Sequence, residues 1–273
     1  MNKTDKIMIR VGEIFLKGKN RGIFEKKLLE NVKSISGKEV KKSRFRFIIN
    51  YFPEHSILKR VFGLTSYSIC VETEKDLDEI NKKAIEMLKG KVGHFKVETK
   101  RSDKTFPSTS PEINRKVGEY IENNLPIEFS LKDPQFILHI EINTGGAFLF
   151  LNTFKCFGGL PVGVEGKALL LVENETDLLA GLEFMRRGTE ISVVYNKEIN
   201  IEVIQKYSPK KIKTIKFDYI KEIEQLAHNN KISILISGQN YSNYQKINTS
   251  LLVFRPLIAY SDQEIKEKLK LYH

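Results

Sequence analysis

The residues whose types and order could do chemistry lie between Leu169 and Gly188. Leu169-Leu170-Leu171-Val172 is an apolar strand pattern, and Glu173-Asn174-Glu175-Thr176-Asp177 is a turn. A helical run follows and ends at Met185-Arg186-Arg187-Gly188. A strand passing through a tight turn into a helix is how nucleotide-binding α/β domains present backbone amides to phosphate. The backbone comes close to phosphate only where glycines remove the side chains. This turn has no glycine, and Glu173, Glu175 and Asp177 place three carboxylates in it. At ~4 Å and an effective dielectric near 20, two like charges repel by about 4 kcal/mol. The turn is therefore expected to be a degenerate nucleotide loop, with Asp177 acting as a helix N-cap.

The remaining candidates are cations. Lys17, Lys19 and Arg21 sit where a strand gives way to a helix, and Lys96, Lys100, Arg101, Lys104 and Arg115 form a second group. Either could take phosphate oxygens or form a solvated basic loop. Net charge favours the first option: it is +11 overall, and residues 1–50 hold 14 Lys+Arg against 5 Asp+Glu. A heat-adapted surface would bring compensating glutamates, which this segment lacks. A basic N-terminal half is an electrostatic footprint for nucleic acid. Phe106 and Tyr120 could stack on a base, but core positions are the commoner use of such aromatics. Glu13 is expected to pair with Lys17 or Arg10.

Other chemistries find little support. Cys70 and Cys156 are the only cysteines and belong to no CxxC, so neither a zinc site nor a disulfide framework is expected. Cys156 has no neighbouring base to activate it and reads as structural. His55, His94, His139, His228 and His273 show no ligand spacing. No metal, no catalytic residue and no cofactor is expected. No apolar run approaches the ~20 residues of a membrane span, and Met1–Lys6 leads into no apolar signal segment. Hydrophobic residues make up 41% of the chain, which suits a globular protein with a sizeable core, and a cytoplasmic one is expected.

These residues need elements to hold them. Alternation predicts a strand over Lys6–Phe15. Asn20 could cap a helix whose apolar face is Ile23, Phe24, Leu28, Leu29 and Val32, with Gly37 as its stop. Lys38–Lys42 and Arg44–Tyr51 read as strands, with Phe45, Phe47 and Ile49 on one face. A helix near Ser56–Phe62 and a strand over Thr65–Glu72 complete a ferredoxin-like β-α-β-β-α-β order. Next come a helix over Leu77–Leu88, a strand over Gly93–Arg101 and a helix over Ser110–Asn123 whose face is Ile113, Val117, Tyr120 and Ile121. Phe136–Ile142 and Ala147–Thr153 form a hairpin across Gly145-Gly146, and Gly158–Gly163 reads as a linker. From Ala168 strands and helices alternate: a strand to Val172, a helix over Leu178–Arg187 and a strand over Ile191–Tyr195. Strands near Ile212–Phe217 and Ile232–Ile236 flank a helix, and a last helix covers Asp262–Leu271. This alternation predicts an open parallel sheet.

Several motifs, in order along nearly the whole chain, carry a family resemblance. Gly12-Glu13-Ile14-Phe15-Leu16-Lys17-Gly18-Lys19-Asn20-Arg21 with Phe24 resembles the opening motif of the tRNA 4-thiouridine synthases, or tRNA sulfurtransferases, a family also associated with thiamine biosynthesis. Phe95-Lys96-Val97, Lys100–Pro107, and Ser110, Glu112, Ile113, Asn114, Arg115 and Gly118 resemble its THUMP domain. Gly158–Gly163 with Gly166-Lys167 resembles the linker into its ATP pyrophosphatase (PP-loop) domain. Arg255-Pro256-Leu257-Ile258 with Asp262 and Glu264-Ile265 resembles the distal part of that domain. The resemblance implies a mixed α/β and α+β chain in three parts. These are a ferredoxin-like domain over 1–74, an RNA-binding THUMP domain over 75–165, and a small Rossmann-like, PP-loop ATPase-like open parallel sheet over 166–273.

The resemblance also implies that the first two domains grip the acceptor-stem region of tRNA. In active members the third adenylates a uridine and inserts sulfur to give 4-thiouridine. The family's Ser-Gly-Gly-x-Asp-Ser loop corresponds here to Glu173-Asn174-Glu175-Thr176-Asp177-Leu178, so only the aspartate survives. The persulfide cysteine of the third domain has no counterpart, and no rhodanese-like segment follows within the sequence. The expected function is thus a tRNA-holding component of tRNA modification. The alternative is an active sulfurtransferase with an altered ATP and magnesium site and an external sulfur carrier. Candidate partners are tRNA, a separate tRNA-modifying enzyme and a second copy of the chain, with no membrane.

Overall fold

A computed structural model describes residues 5–43 and 46–273, so the strand positions expected for Arg44 and Phe45 lie outside it. The first half runs β1 (Asp5–Val11), α1 (Arg21–Ser36), β2 (Lys41–Ser43), β3 (Arg46–Asn50), β4 (Leu64–Thr73) and α2 (Leu77–Leu88). It continues with β5 (His94–Arg101), α3 (Ser110–Asn124), β6 (Glu128–Phe129), β7 (Phe136–Asn143), β8 (Gly146–Phe150) and β9 (Phe154–Lys155). The second half runs β10 (Lys167–Val172), α4 (Asp177–Arg186), β11 (Glu190–Tyr195), α5 (Glu202–Gln205) and β12 (Thr214–Lys216). Then come α6 (Ile220–Asn229), β13 (Ile234–Ser237), β14 (Leu252–Phe254) and α7 (Asp262–Lys270).

The chain packs as two compact units. One comprises residues up to Arg10, Lys38–His55 and Ser66–Lys155; the other comprises Val11–Gly37, Ser56–Thr65 and Cys156–His273. In the first, the described strands form one sheet of order β2-β3-β1-β4-β8-β7-β5-β6, with β9 on β4. Helices α2 and α3 bury Ile80, Ala84 and Leu88, and Ile113, Val117 and Ile121, against Phe95, Val97, Leu138 and Ile140. Helix α2 starts at Asp76, whose carboxylate accepts the Asp78 and Glu79 amides at 2.9 and 3.0 Å. Helix α3 starts with a Thr109–Glu112 capping box. Tyr120, expected on the buried face, is 38% exposed, because the inward stripe is filled at Val117 and Ile121. The hairpin turns over Thr144-Gly145, with Asn143 paired to Gly146.

In the second unit the sheet is parallel throughout, of order β12-β11-β10-β13-β14. Alternate residues of β10 serve its two faces: Ala168, Leu170 and Val172 enter one core, Leu169 and Leu171 the other. A strand buried on both faces reads as an unbroken apolar run, which is what Ala168–Val172 is. Helix α1 belongs to this unit and buries Phe24, Leu28 and Val32. Ile23, expected on that face, is 66% exposed.

The strand expected over Lys6–Phe15 ends at Val11. Gly12 turns the chain where a Cβ would lie 2.7 Å from Thr65 Cγ2, and a short 3-10 helix covers Glu13–Leu16. A second 3-10 turn, Gly18–Asn20, leads directly into α1. Asn20 therefore has helical dihedrals and its side chain caps nothing, contrary to expectation. Gly37, at φ 67°, stops α1 and donates its amide to the Lys33 carbonyl at 2.8 Å. The helix expected near Ser56–Phe62 is a 3-10 helix over His55–Arg60.

Candidate nucleic-acid interface

The expected RNA-contacting cations fall in both units. Lys17 lies between the two 3-10 turns, Lys19 in the second, and Arg21 at the first position of α1. Lys17 Nζ lies 3.4 Å from Glu165 Oε1 and 4.7 Å from the Phe24 ring centroid, while Lys19 is exposed. Arg21 Nε donates to Glu25 at 2.7 Å, one helical turn on. Glu13 takes neither expected partner: Lys17 turns to Glu165, and Arg10 to Glu141.

The second group lies in the other unit. Lys96 pairs with Glu98 at 2.7 Å, and Arg115, 67% exposed, stands 3.7 Å from Glu119 one turn further along α3. Lys104 is exposed on the loop between β5 and α3. Asp103 anchors that loop, accepting Lys75 Nζ at 2.7 Å and the Thr105 amide and hydroxyl at 3.0 and 2.7 Å. These bonds hold its carboxyl well below the usual carboxylate range. Arg101 donates to the Phe106 carbonyl at 2.7 Å, and the Phe106 ring is buried in the core, where the bland expectation placed it.

One feature of this unit was not legible beforehand. Glu141 on β7 accepts Arg10 of β1 at 3.0 and 2.8 Å and Arg46 of β3 at 2.9 Å. Strands β1, β4 and β8 lie between β3 and β7 in the sheet order. At ~4.8 Å per strand a flat sheet would separate those two by about 19 Å, more than two side chains can bridge. The sheet is therefore curled, and Met8, Ile48, Cys70, Phe148 and Phe150 are buried together. Arg10 also donates to Ser68 Oγ at 2.9 Å and lies 4.6 Å from the Phe150 ring centroid. Burial alone would push the Glu141 carboxyl up, but Arg10 and Arg46 outweigh it and hold the group below its usual range. The signal for this cluster was phase: Arg10 is two residues from inward Met8, and Arg46 two from inward Ile48.

The turn after β10 is built from its own side chains. Asp177 is not the N-cap: it is the first residue of α4, and Oδ2 points back to accept the Glu173 and Asn174 amides at 2.8 and 3.0 Å. Asn174 Oδ1 accepts the Thr176 amide at 3.0 Å and its hydroxyl as well. Three amides of the turn, those of Glu173, Asn174 and Thr176, are thereby engaged by side-chain oxygens. Gly238, just after β13, presses on Asp177, where a Cβ would lie 2.5 Å from its Cα. Glu173, Asn174 and Glu175 are exposed, and burial raises the Asp177 carboxyl despite its two amide partners. The Arg255 and Asp262 motif braces the loop that follows Gly238. Arg255 donates to Gln239 Oε1 at 3.0 Å, and Asp262 accepts Asn240 Nδ2 at 2.6 Å. A cavity of about 670 Å³ between β11, β12 and α5 does not reach the Glu173–Asp177 turn.

Cys156 Sγ lies 4.0 Å from the Leu58 carbonyl, and Cys70 is buried. Among the described residues no group of three His, Cys, Asp or Glu could hold a metal, and no helix is long and apolar enough to cross a membrane.

Comparison with known proteins adds sequence families and relatives. The ThiI ferredoxin-like domain matches residues 6–68, and the THUMP domain matches residues 74–152. A probable tRNA sulfurtransferase of Thermoanaerobacter pseudethanolicus is 30% identical over 96% of this chain and 83% of its own. One of Brevibacillus brevis is 36% identical over 70% of this chain, and that match spans about half of the relative, 51%. Among solved structures, a 4-thiouridine synthetase–RNA complex with bound ATP superposes with a TM-score of 0.86 at 26% identity, over 98% of this chain and 85% of that one. PH1313 from Pyrococcus horikoshii gives 0.84 at 28% identity, over 98% and 99%.

Proposed function

The chain belongs to the tRNA sulfurtransferase family, and from that premise we propose that it grips the acceptor-stem region of tRNA as a component of tRNA modification. The three sequence modules, 1–74, 75–165 and 166–273, take the roles of ferredoxin-like domain, THUMP domain and PP-loop-like domain. Lys17, Lys19, Arg21, Lys96, Lys100, Arg101, Lys104 and Arg115 supply the phosphate contacts, which give affinity and salt dependence without base specificity. The third module holds its sheet but does not bind ATP in the family's manner. Its partner in chemistry is a separate tRNA-modifying enzyme, and the setting is the cytoplasm.

The observation that carries this reading is the turn after β10. It has no glycine, and its Glu173, Asn174 and Thr176 amides are already taken by Asp177 and Asn174. Magnesium could offset the charge of Glu173 and Glu175 but could not free those amides. The rival reading, an active sulfurtransferase with an external sulfur carrier, draws support from the superposition on an ATP-bound synthetase. Calorimetry separates the two. Titration with ATP and magnesium should give no saturable binding below millimolar concentration, weaker than about −4 kcal/mol. Titration with tRNA should saturate, and charge reversal at Lys17, Lys19 and Arg101 should weaken it across tRNA sequences. Micromolar ATP binding, with or without tRNA, would establish the rival.

A further inference from the structure

Arg46, one of the two arginines on Glu141, lines a small cavity of about 170 Å³ together with Lys100, Arg101, Ser102, Glu141 and Asn143. Lys100 stands directly beside Glu141, since the two are register partners on parallel β5 and β7. Lys100 is exposed, and a quarter of the Arg46 side chain reaches solvent. Three cations, Arg10, Arg46 and Lys100, thus stand beside one buried carboxylate whose two oxygens are held by Arg10 and Arg46. The balance is an excess of positive charge around a concave, partly desolvated spot, where an anion gains most. Water takes ≈ 30 Å³ each, so the cavity has room for about five waters. That suits one phosphate group and is smaller than the ≈ 300 Å³ at which small-molecule pockets begin.

We propose that this cavity is a phosphate subsite for the tRNA backbone, shared between the ferredoxin-like strand β3 and THUMP strand β5, with Glu141 as the positioning residue that draws Arg46 into it. The inference rests on the tRNA-binding reading and adds Arg46 and Glu141 to it. Glu141 is needed because β3 and β5 are far apart along the sheet. Without the carboxylate, Arg10 and Arg46 repel each other and Arg46 leaves the cavity.

The experiment measures affinity for tRNA against salt by fluorescence anisotropy on the full chain, with thermal melts confirming that each variant is folded. Arg46→Ala and Lys100→Ala should each flatten the log–log salt slope by about 0.7–0.9, so that a fourfold rise in salt costs about threefold less affinity than in the wild type. Arg46→Lys should recover part of the slope. Glu141→Gln removes a negative charge, so charge alone would tighten binding to a polyanion. The positioning role requires the opposite, weaker binding with a shallower slope. Wild-type slopes in both Arg46→Ala and Lys100→Ala would overturn the subsite while leaving tRNA binding intact. A wild-type chain that binds no tRNA would overturn the functional reading and the subsite with it. Inorganic phosphate should compete only at millimolar concentration. Micromolar phosphate binding that Arg46→Ala abolishes, with tRNA slopes unchanged, would assign the cavity to a free anion instead. If Glu141→Gln does not fold, the Arg46 and Lys100 slopes decide.

Discussion

Burial pushes the thiols of Cys70 and Cys156 up to about 12. A thiolate, not a thiol, is the nucleophile, so neither sulfur attacks or carries persulfide readily near neutral pH. Alkylation by iodoacetamide at pH 7.5 should be slow at both in the folded chain and fast in denaturant. The double alanine variant should keep wild-type tRNA affinity. Asp177 makes a different kind of prediction. Its Oδ2 accepts two turn amides, and an alanine there leaves them to water because the turn is exposed. Asp177→Ala should therefore cost about 1 kcal/mol, the low end for a lost acceptor, read as a lowered melting temperature with no gain of ATP binding. At this scale the sequence was legible where chemistry is local. The missing glycines and the three acids of the turn were plain. That Asp177 bends backward instead of capping α4 was not, because cap and back-bond need the same side chain. Glu141 was silent, since a lone glutamate in a strand reads as solvent-facing until the sheet curls.

At the scale of elements, long periodic segments announced themselves. Helix α2 spans the Leu77–Leu88 that its pattern predicted, and α3 ends one residue beyond its expected limit. Helix α5, of four residues, and β14, of three, are too short to leave a period and went unseen. The β1 boundary was missed because Gly12 turns for a long-range reason, its approach to Thr65. The curl of the first sheet is held across four strand spacings by one carboxylate, and this gives it a pH signature. The folded-state pKa of Glu141 lies below its unfolded value, so its stabilisation is complete above the ordinary glutamate value of ≈ 4.3 and is lost as pH falls through the folded value. The melting temperature should be level from pH 5 to 8 as far as this group is concerned and fall below pH 4. Glu141→Gln should be less stable at neutral pH and show a shallower fall in acid; an unchanged acid limb would remove Glu141 from the account.

For the molecule as a whole, compactness does not follow chain order. Phe62, 1% exposed, packs with Ala168, Leu170 and Leu178, and its ring centroid lies 5.3 Å from Tyr207. Asn31 of α1 donates to the Val162 carbonyl at 3.0 Å in the same unit. The segment 166–273 thus shares its core with Phe62, and its compact unit with Val11–Gly37 and Ser56–Thr65. Expressed alone, 166–273 should show no cooperative thermal transition by circular dichroism. In the full chain Phe62→Ala should cost about 3–5 kcal/mol, as for other buried aromatics. A fragment that melts cooperatively would mean the early segments are accessory. Motif order made the ferredoxin-like and THUMP parts readable, whereas the packing within each compact unit depends on contacts between residues a hundred or more positions apart.

The chain passes from one compact unit to the other at Val11, Lys38, Ser56, Ser66 and Cys156. For protein engineering, and for recombination in evolution, this sets the unit of exchange. A hybrid that joins the first 165 residues to the later segment of a relative mismatches Phe62 and α1 with a foreign core. Transplanted as a set, Val11–Gly37, Ser56–Thr65 and the segment from Cys156 onward travel with their own packing. Exchange of this unit therefore requires three coordinated replacements, whereas a change within the Glu173–Asp177 turn requires only point substitutions.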